Sequence, residues 1–249
     1  DRLSGRADRL VPPRRLDLAG HSDFVGSGDE ALTHLIELGG LQPGHAVLDV
    51  GCGVGRIARP LAGYLSGEGS YDGFDVNRDA VGWCRRRYAR QRNFHFRVAD
   101  VYNRRFNPRG EHAAAEYRFP YEDARFDFVI LTSVLTHLLE SETDHYLAET
   151  ARVLRPGGRA LTTLFLLDDE SRAAIAAGRS GLAFLDPEEH VAVISDDRPE
   201  EAVAYDAGWV RDRLADHGLS EVSVTPGTWS GRDGGAGFQD VVVAERAAA

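Results

Sequence analysis

Val47-Leu48-Asp49-Val50-Gly51-Cys52-Gly53-Val54-Gly55-Arg56 runs from a branched, apolar stretch straight into three glycines spaced two apart. It reads as a buried strand entering a sharp turn, with a helix over Arg56 to Leu65 behind it. Glycine serves where a backbone must turn through positive φ or let a ligand approach it closely. Two other readings stand beside that one. The turn could be a plain strand-to-helix connection, or it could belong to a dinucleotide fold, whose pattern needs glycine at the sixth position. Arg56 occupies that position, which disfavours hydride chemistry.

Around this turn, short branched runs alternate with helical patterns. Strands are expected at Ala46 to Val50, Ser70 to Phe74, Phe94 to Val98, Phe126 to Leu131, Arg159 to Leu167, Ser220 to Thr225 and Phe238 to Ala244. Strands alternating with helices give an α/β, doubly wound sheet. A helix opened by the capping box Ser27 and Glu30, and closed by Gly39 and Gly40, precedes the first strand as an N-terminal cap. Further helices are expected at Asp79 to Arg90, Asp144 to Val153 and Asp206 to His217, with Pro156-Gly157-Gly158 turning into the fifth strand. The chain reads as one domain, 1–249: cap 1–42, core 43–167, insertion 168–205, and last helix and strands 206–249. Tyr102 to Asp123 and Asp168 to Tyr205 exceed what the core needs and suit lids, binding elements or subunit contacts.

Asp75 closes the second strand in Tyr71-Asp72-Gly73-Phe74-Asp75, where a carboxylate accepts two ribose hydroxyls, and Asp100 closes the third, within reach of an adenine amine. With Arg125 to Leu131 and Leu154-Arg155-Pro156-Gly157-Gly158 following in order, the chain resembles the class I S-adenosylmethionine-dependent methyltransferases over residues 30 to 167. The resemblance implies a Rossmann-like seven-stranded sheet in the order 3-2-1-4-5-7-6 with the seventh strand antiparallel. It also implies S-adenosylmethionine as cofactor, bound by Asp49, Gly51, Gly53, Gly55, Asp75, Asp100, Val101 and Thr132. Leu131-Thr132-Ser133-Val134 departs from the Asn/Asp-Pro-Pro-Tyr/Phe motif of amine methylation on bases, and no cysteine follows strand four or five to attack a pyrimidine.

Ligands of open α/β sheets bind beyond the carboxyl ends of the strands, so the acceptor site draws on Thr132, Ser133, Thr136, His137, Asp168, Asp169, Trp229, Arg232, Gln239 and Asp240. A hydroxyl acceptor needs a base or an ion-stabilised alkoxide. His137 and Asp168 are the catalytic candidates, and Asp168 with Asp240 would hold Mg²⁺. The alternatives are that His137 packs in an apolar helix start and that Asp168 caps the helix Glu170 to Ala177. The segments Tyr102 to Pro108, Thr132 to Leu138 and Gly237 to Asp240 resemble bacterial sugar O-methyltransferases of antibiotic biosynthesis. That resemblance implies a sugar or sugar-nucleotide acceptor such as TDP-rhamnose, its diphosphate held by Arg104, Arg105 and Arg232, with Trp229 also at the acceptor. An N- or C-methyltransferase of another small metabolite and an inactive donor-binding partner subunit stay open.

Composition narrows the rest. The 249 residues are 43% hydrophobic and 27% charged, as in a folded protein, with 39 acidic against 29 basic side chains. That balance argues against nucleic acid and anionic membranes, yet leaves room for a local basic pocket holding one small anion. Every basic residue is arginine, so lysine chemistry is excluded: Schiff bases, pyridoxal phosphate anchoring and the phosphate-loop lysine. Cys52 and Cys84 lack metal or disulfide spacing. No apolar run nears the roughly 20 residues of a membrane span, and Asp1 to Leu18 is not a secretory signal. The expected compartment is the cytoplasm, with homo-oligomerisation left open.

Overall fold

The computed structural model describes residues 8–17 and 23–248. Its contacts divide the chain into two compact units that meet between Glu111 and His112. Parts of the expected cap, with His21, lie outside the described residues.

The first unit holds α1 (Phe24–Glu37), β1 (Ala46–Val50), α2 (Ala58–Tyr64), β2 (Ser70–Asp75), α3 (Arg78–Arg87) and β3 (Phe94–Val98). β1 pairs in parallel with β2, and β2 with β3. Val47, Leu48 and Tyr71 are fully buried, and Phe94 stacks on Tyr71 at 4.9 Å and on Tyr88 at 5.6 Å. Each such side chain contributes about 1.5–3 kcal/mol through burial.

α1 starts four residues earlier than the Ser27 box requires. Asp23 is its N-cap, accepting from Gly26 N at 2.8 Å, and Ser27 lies inside the first turn. A carboxylate before Phe24 satisfies the orphan N–H groups as well as a hydroxyl would, and it leaves Phe24 buried at the start of the helix. The glycine stop is as expected: Gly40 has φ 74°, and its N–H reaches Ile36 O at 3.1 Å.

The second unit holds β4 (Phe126–Leu131), α4 (Glu140–Val153), β5 (Leu154–Leu164), β6 (Leu166–Leu167), α5 (Asp169–Ala176), β7 (Val191–Val193), β8 (Val203–Asp206), α6 (Ala207–Asp216), β9 (Leu219–Thr225) and β10 (Asp240–Arg246). β4 and β5 are parallel, whereas β10 runs antiparallel to both β5 and β9. The strand order is β3-β2-β1-β4-β5-β10-β9, so the expected sixth and seventh strands are β9 and β10 and the expected order holds.

Two expectations shift here. Pro156-Gly157-Gly158 lies within β5 as an irregularity, with Gly157 at φ 75° and the pairing jumping from Phe126↔Leu154 to Phe128↔Arg159. The expected strand Arg159 to Leu167 breaks at Phe165, after which β6 joins β8 and β7 in a second, three-stranded sheet. Phe165, Leu167, Phe184, Ala204 and Trp229 form the core beneath it.

Arg152 fastens the segment before β4 onto α4. Its guanidinium donates to Glu149, to Asp123 Oδ1 at 2.7 Å, to Tyr121 O at 2.8 Å and to Phe119 O at 3.0 Å, while Phe119 N donates to Glu149 Oε2 at 2.6 Å. Among the described residues no helix is long and apolar enough to cross a membrane.

Candidate functional site

In the first unit the chain leaves β1 through Gly51, Gly53 and Gly55, whose φ values are 73°, 51° and 77°. All three lie in the left-handed region that side chains avoid, which is why the sequence has glycine at each. Gly51 N and Cys52 N donate to Phe74 O at 2.9 and 3.0 Å, tying the loop to the end of β2. The three glycines have different surroundings. A Cβ at Gly55 would sit 3.2 Å from Cys84 Sγ, so that residue is also glycine for packing, whereas a Cβ at Gly53 would meet no atom within 4 Å. The loop is therefore open on its Gly53 side, where a ligand has room against bare backbone.

Asp75 lies directly beside that opening. Its Oδ2 accepts from Gly53 N at 2.8 Å and its Oδ1 from Asn77 N at 2.7 Å. Burial pushes its carboxyl above the ordinary value, while the backbone N–H groups of Asn77, Gly53 and Val76 pull the other way. Three of its roughly four lone-pair sites are used by these N–H groups, so one further donor can be accepted without displacing any of them. Asp49, beneath the loop, is 1% exposed and accepts from Tyr71 Oη at 2.6 Å. Burial raises its carboxyl to about 7, against the opposing pull of the Tyr71 bond and the Arg56 charge. Asp49 supports the loop from inside the protein.

Asp100 follows β3, pairs with Arg78 at 2.7 Å, and accepts from Asn107 Nδ2 at 3.3 Å. Val101 is buried, and its carbonyl accepts from the same Asn107 amide at 2.9 Å. Arg104 and Arg105 lie in the turn closed by Asn103 and Asn107, where Arg105 covers the Phe106 ring at 5.0 Å. Sequence reasoning missed the underside of the glycine loop. Cys84 Sγ lies 3.7 Å from Gly53 O, and Tyr88 Oη lies 3.5 Å from Gly55 O. The spacing of the buried residues Ala80, Val81, Cys84 and Tyr88 along α3 was the available signal.

In the second unit the carboxyl edge of β4 and β5 carries a polar cluster. Thr132, the donor-site candidate after β4, is half-buried there. Ser133 has φ 56°, an uncommon conformation for a non-glycine residue, and its N–H donates to Thr163 Oγ1 at 2.8 Å. Ser133 Oγ and Thr163 Oγ1 both donate to Gln239 Oε1, at 2.9 and 2.5 Å. Thr163 escaped the sequence reading because a hydroxyl in a strand looks like ordinary alternation. His137 is exposed, and its Nδ1 lies 2.9 Å from Glu200 O. A carbonyl only accepts, so Nδ1 carries the proton and Nε2 is left as the basic nitrogen.

Of the expected row of His137, Asp168 and Asp240, the two carboxylates are engaged by other partners. Asp168 is the N-cap of α5, accepting from Ser171 N at 2.8 Å, and it pairs with Arg232. Burial raises its carboxyl, but Arg232 and Ser171 outweigh that and hold it below the ordinary range, which makes it a poor base. Asp240 is 1% exposed and accepts from Leu166 N at 2.8 Å, Gly227 N at 2.7 Å and Trp229 Nε1 at 2.7 Å. These two carboxylates do not fit Mg²⁺. Asp240 is spent on three N–H donors and Asp168 lies against a guanidinium, while no group of three potential ligands occurs among the described residues. Trp229, expected at the acceptor, is fully buried against Phe165 and Phe184 at 5.4 and 5.5 Å. Arg232, expected on a diphosphate, has a side chain 8% exposed and engaged by Asp168 and by Glu170 at 3.3 Å.

Residues 47–158, from β1 to the irregular start of β5, match the family model of a methyltransferase domain. This part of the chain is similar to a methyltransferase domain. The fatty-acid O-methyltransferase of Mycolicibacterium smegmatis is 32% identical over 152 residues, 61% of this chain and 48% of that protein. The chain spans less than half the length of the first curated relatives it matches, between 36% and 49%. A Pyrococcus horikoshii structure covers 94% of this chain and 96% of its own at TM-score 0.61 and 18% identity. The Burkholderia thailandensis 1,6-didemethyltoxoflavin-N1-methyltransferase, solved with S-adenosylhomocysteine, covers 93% of this chain and 81% of its own at TM-score 0.58 and 17% identity. At such identities the two structures show only that the fold is shared.

Proposed function

We propose that the chain is an S-adenosylmethionine-dependent methyltransferase that methylates a hydroxyl of a small molecule. The observation that carries the donor half is the open face at Gly53 beside the Asp75 carboxylate, which keeps an acceptor site for a ribose hydroxyl. The cofactor supplies a methyl group already activated on a sulfonium. The protein then has to bind it, align the acceptor and accept the acceptor's proton. Gly51 and Gly53 leave bare backbone against the methionine part, Asp75 orients the ribose, and Asp100 with Val101 is offered to the adenine.

A hydroxyl acceptor is favoured by His137. Its Nδ1–H is committed to Glu200 O, so Nε2 is free to take a proton from a hydroxyl. Ser133, Thr163 and the Gln239 amide supply donors and acceptors on the same unit, a chemistry suited to a polyhydroxylated acceptor such as a sugar. Free sugars and activated deoxysugars such as TDP-rhamnose are the first acceptors to try, with Arg104 and Arg105 as the side chains for a diphosphate. The test is incubation with methyl-labelled S-adenosylmethionine and a panel of sugars and sugar nucleotides. The expected result is S-adenosylhomocysteine and an O-methyl product formed equally well in excess chelator. Label appearing on nitrogen or carbon acceptors alone would overturn the hydroxyl assignment.

A further inference from the structure

The first unit holds a second concentration of chemistry that the donor loop does not use. Between Ala80 and Ala99 the chain has six arginines (Arg85, Arg86, Arg87, Arg90, Arg92 and Arg97) and no Asp or Glu, in a protein whose formal net charge is −10. All six are exposed, as is His95. Among the described residues Arg85, Arg86, Arg87, Arg90 and Arg92 form no ion pair, although most arginines between Arg152 and Arg232 do. The helix macrodipole explains part of this, since Arg85, Arg86 and Arg87 occupy the last turn of α3. Arg90 and Arg92 lie beyond that turn, where no dipole rewards them. Crowding like charges costs free energy unless an anion neutralises them.

The same residues frame a concavity. A cavity of about 460 Å³ between the end of α3 and β3 is lined by Arg85, Arg92, Arg97 and His95 over the rings of Tyr88 and Phe96. Arg85 is fixed in place by its Nε, which donates to Phe96 O at 2.8 Å and leaves its terminal nitrogens for another partner. β3 is the outer strand of its sheet, so the cavity lies on an open edge. None of Gly51, Gly53, Gly55, Asp75 or Asp100 lines it.

We propose that this cavity is a second ligand site, for a small molecule bearing a diphosphate. Guanidinium forks match phosphate oxygens in pairs, and several converging on one concavity favour a compact, multiply charged group. The volume is that of a small-molecule pocket, and the acidic balance of the rest of the chain opposes a long polyanion. This site is independent of the donor reading and stands or falls without it.

The test is calorimetric titration of the full chain with inorganic pyrophosphate, with ADP as a second probe. Saturable one-to-one binding is expected, weakened about tenfold or more in Arg92→Gln and further in the Arg85→Gln/Arg92→Gln double variant, the scale of losing charge-assisted bonds. Arg211→Gln, which removes an exposed arginine paired with Glu221 at 3.6 Å, should leave it unchanged. ADP binding as tightly as pyrophosphate identifies the diphosphate as the recognised group. Tighter ADP binding adds a nucleoside contact to the same site. Heat that never saturates, equal affinity in the arginine variants, or tighter binding to a DNA duplex or anionic vesicles that is lost in the same variants would overturn the proposal.

Discussion

Replacing Asp240 by Ala withdraws the acceptor of three N–H groups at once: Leu166 N, Gly227 N and Trp229 Nε1, at 2.8, 2.7 and 2.7 Å. All three bonds are buried, so water does not replace the carboxylate. Each orphaned donor costs about 1–3 kcal/mol, and the substitution regains part of the cost of having buried the carboxyl. A net loss of about 3–5 kcal/mol is expected, which for a chain of this length lowers Tm by about 10 °C. Trp229→Phe removes one donor and keeps the ring between Phe165 and Phe184, so it should cost about 1–2 kcal/mol. In the double variant the two losses should fall short of their sum, because they share a bond. Urea denaturation of the four proteins, with and without Mg²⁺, provides the readout. An Asp240→Ala protein within about 0.5 kcal/mol of the parent, or a Mg²⁺-dependent rise in stability that only the parent displays, would refute the reading of Asp240 as a buried clamp.

Asp49, raised from 3.8 to about 7, holds its proton more tightly folded than unfolded. Its contribution is therefore lost as pH rises from about 4 to 7, by at most about 4 kcal/mol, and the parent-minus-Asp49→Asn difference in denaturant stability should display that fall and flatten above pH 7. A pH-independent difference would contradict it. Arg152→Ala frees the segment Phe119 to Asp123 and leaves Glu149 without its cation, so a loss of about 2–3 kcal/mol and earlier proteolytic cleavage near residues 119–123 are expected in limited digestion. An unchanged digestion pattern would mean that other contacts hold the segment.

What the sequence made legible follows from how local each constraint is. The glycine loop could be read because positive φ at Gly51, Gly53 and Gly55 demands glycine whatever surrounds it. β1 and β4 could be read because a strand buried on both faces must be largely apolar along its length. Asp168 shows the limit: the cap and the base are the same residue type at the same place, and only Arg232, 64 residues away, decides against the base. The strand ends suggest acceptor roles for Asp240 and Trp229. Their burial depends on β6 leaving the main sheet at Phe165 and on the core that Phe184 and Ala204 build over them. The run of arginines stands in the sequence, but their convergence on one concavity over Tyr88 and Phe96 depends on how α3 packs beside β3.

The central claim is that the loop and Asp75 hold the methyl donor, and calorimetric titration of S-adenosylmethionine into the parent and into Asp75→Ala tests it most directly. The parent should bind one equivalent, and the variant should lose about 2–4 kcal/mol of affinity, roughly 30- to 1000-fold, because the ribose loses a charged acceptor. A folded Asp75→Ala protein binding within twofold of the parent, or a parent that binds no donor, would contradict the account.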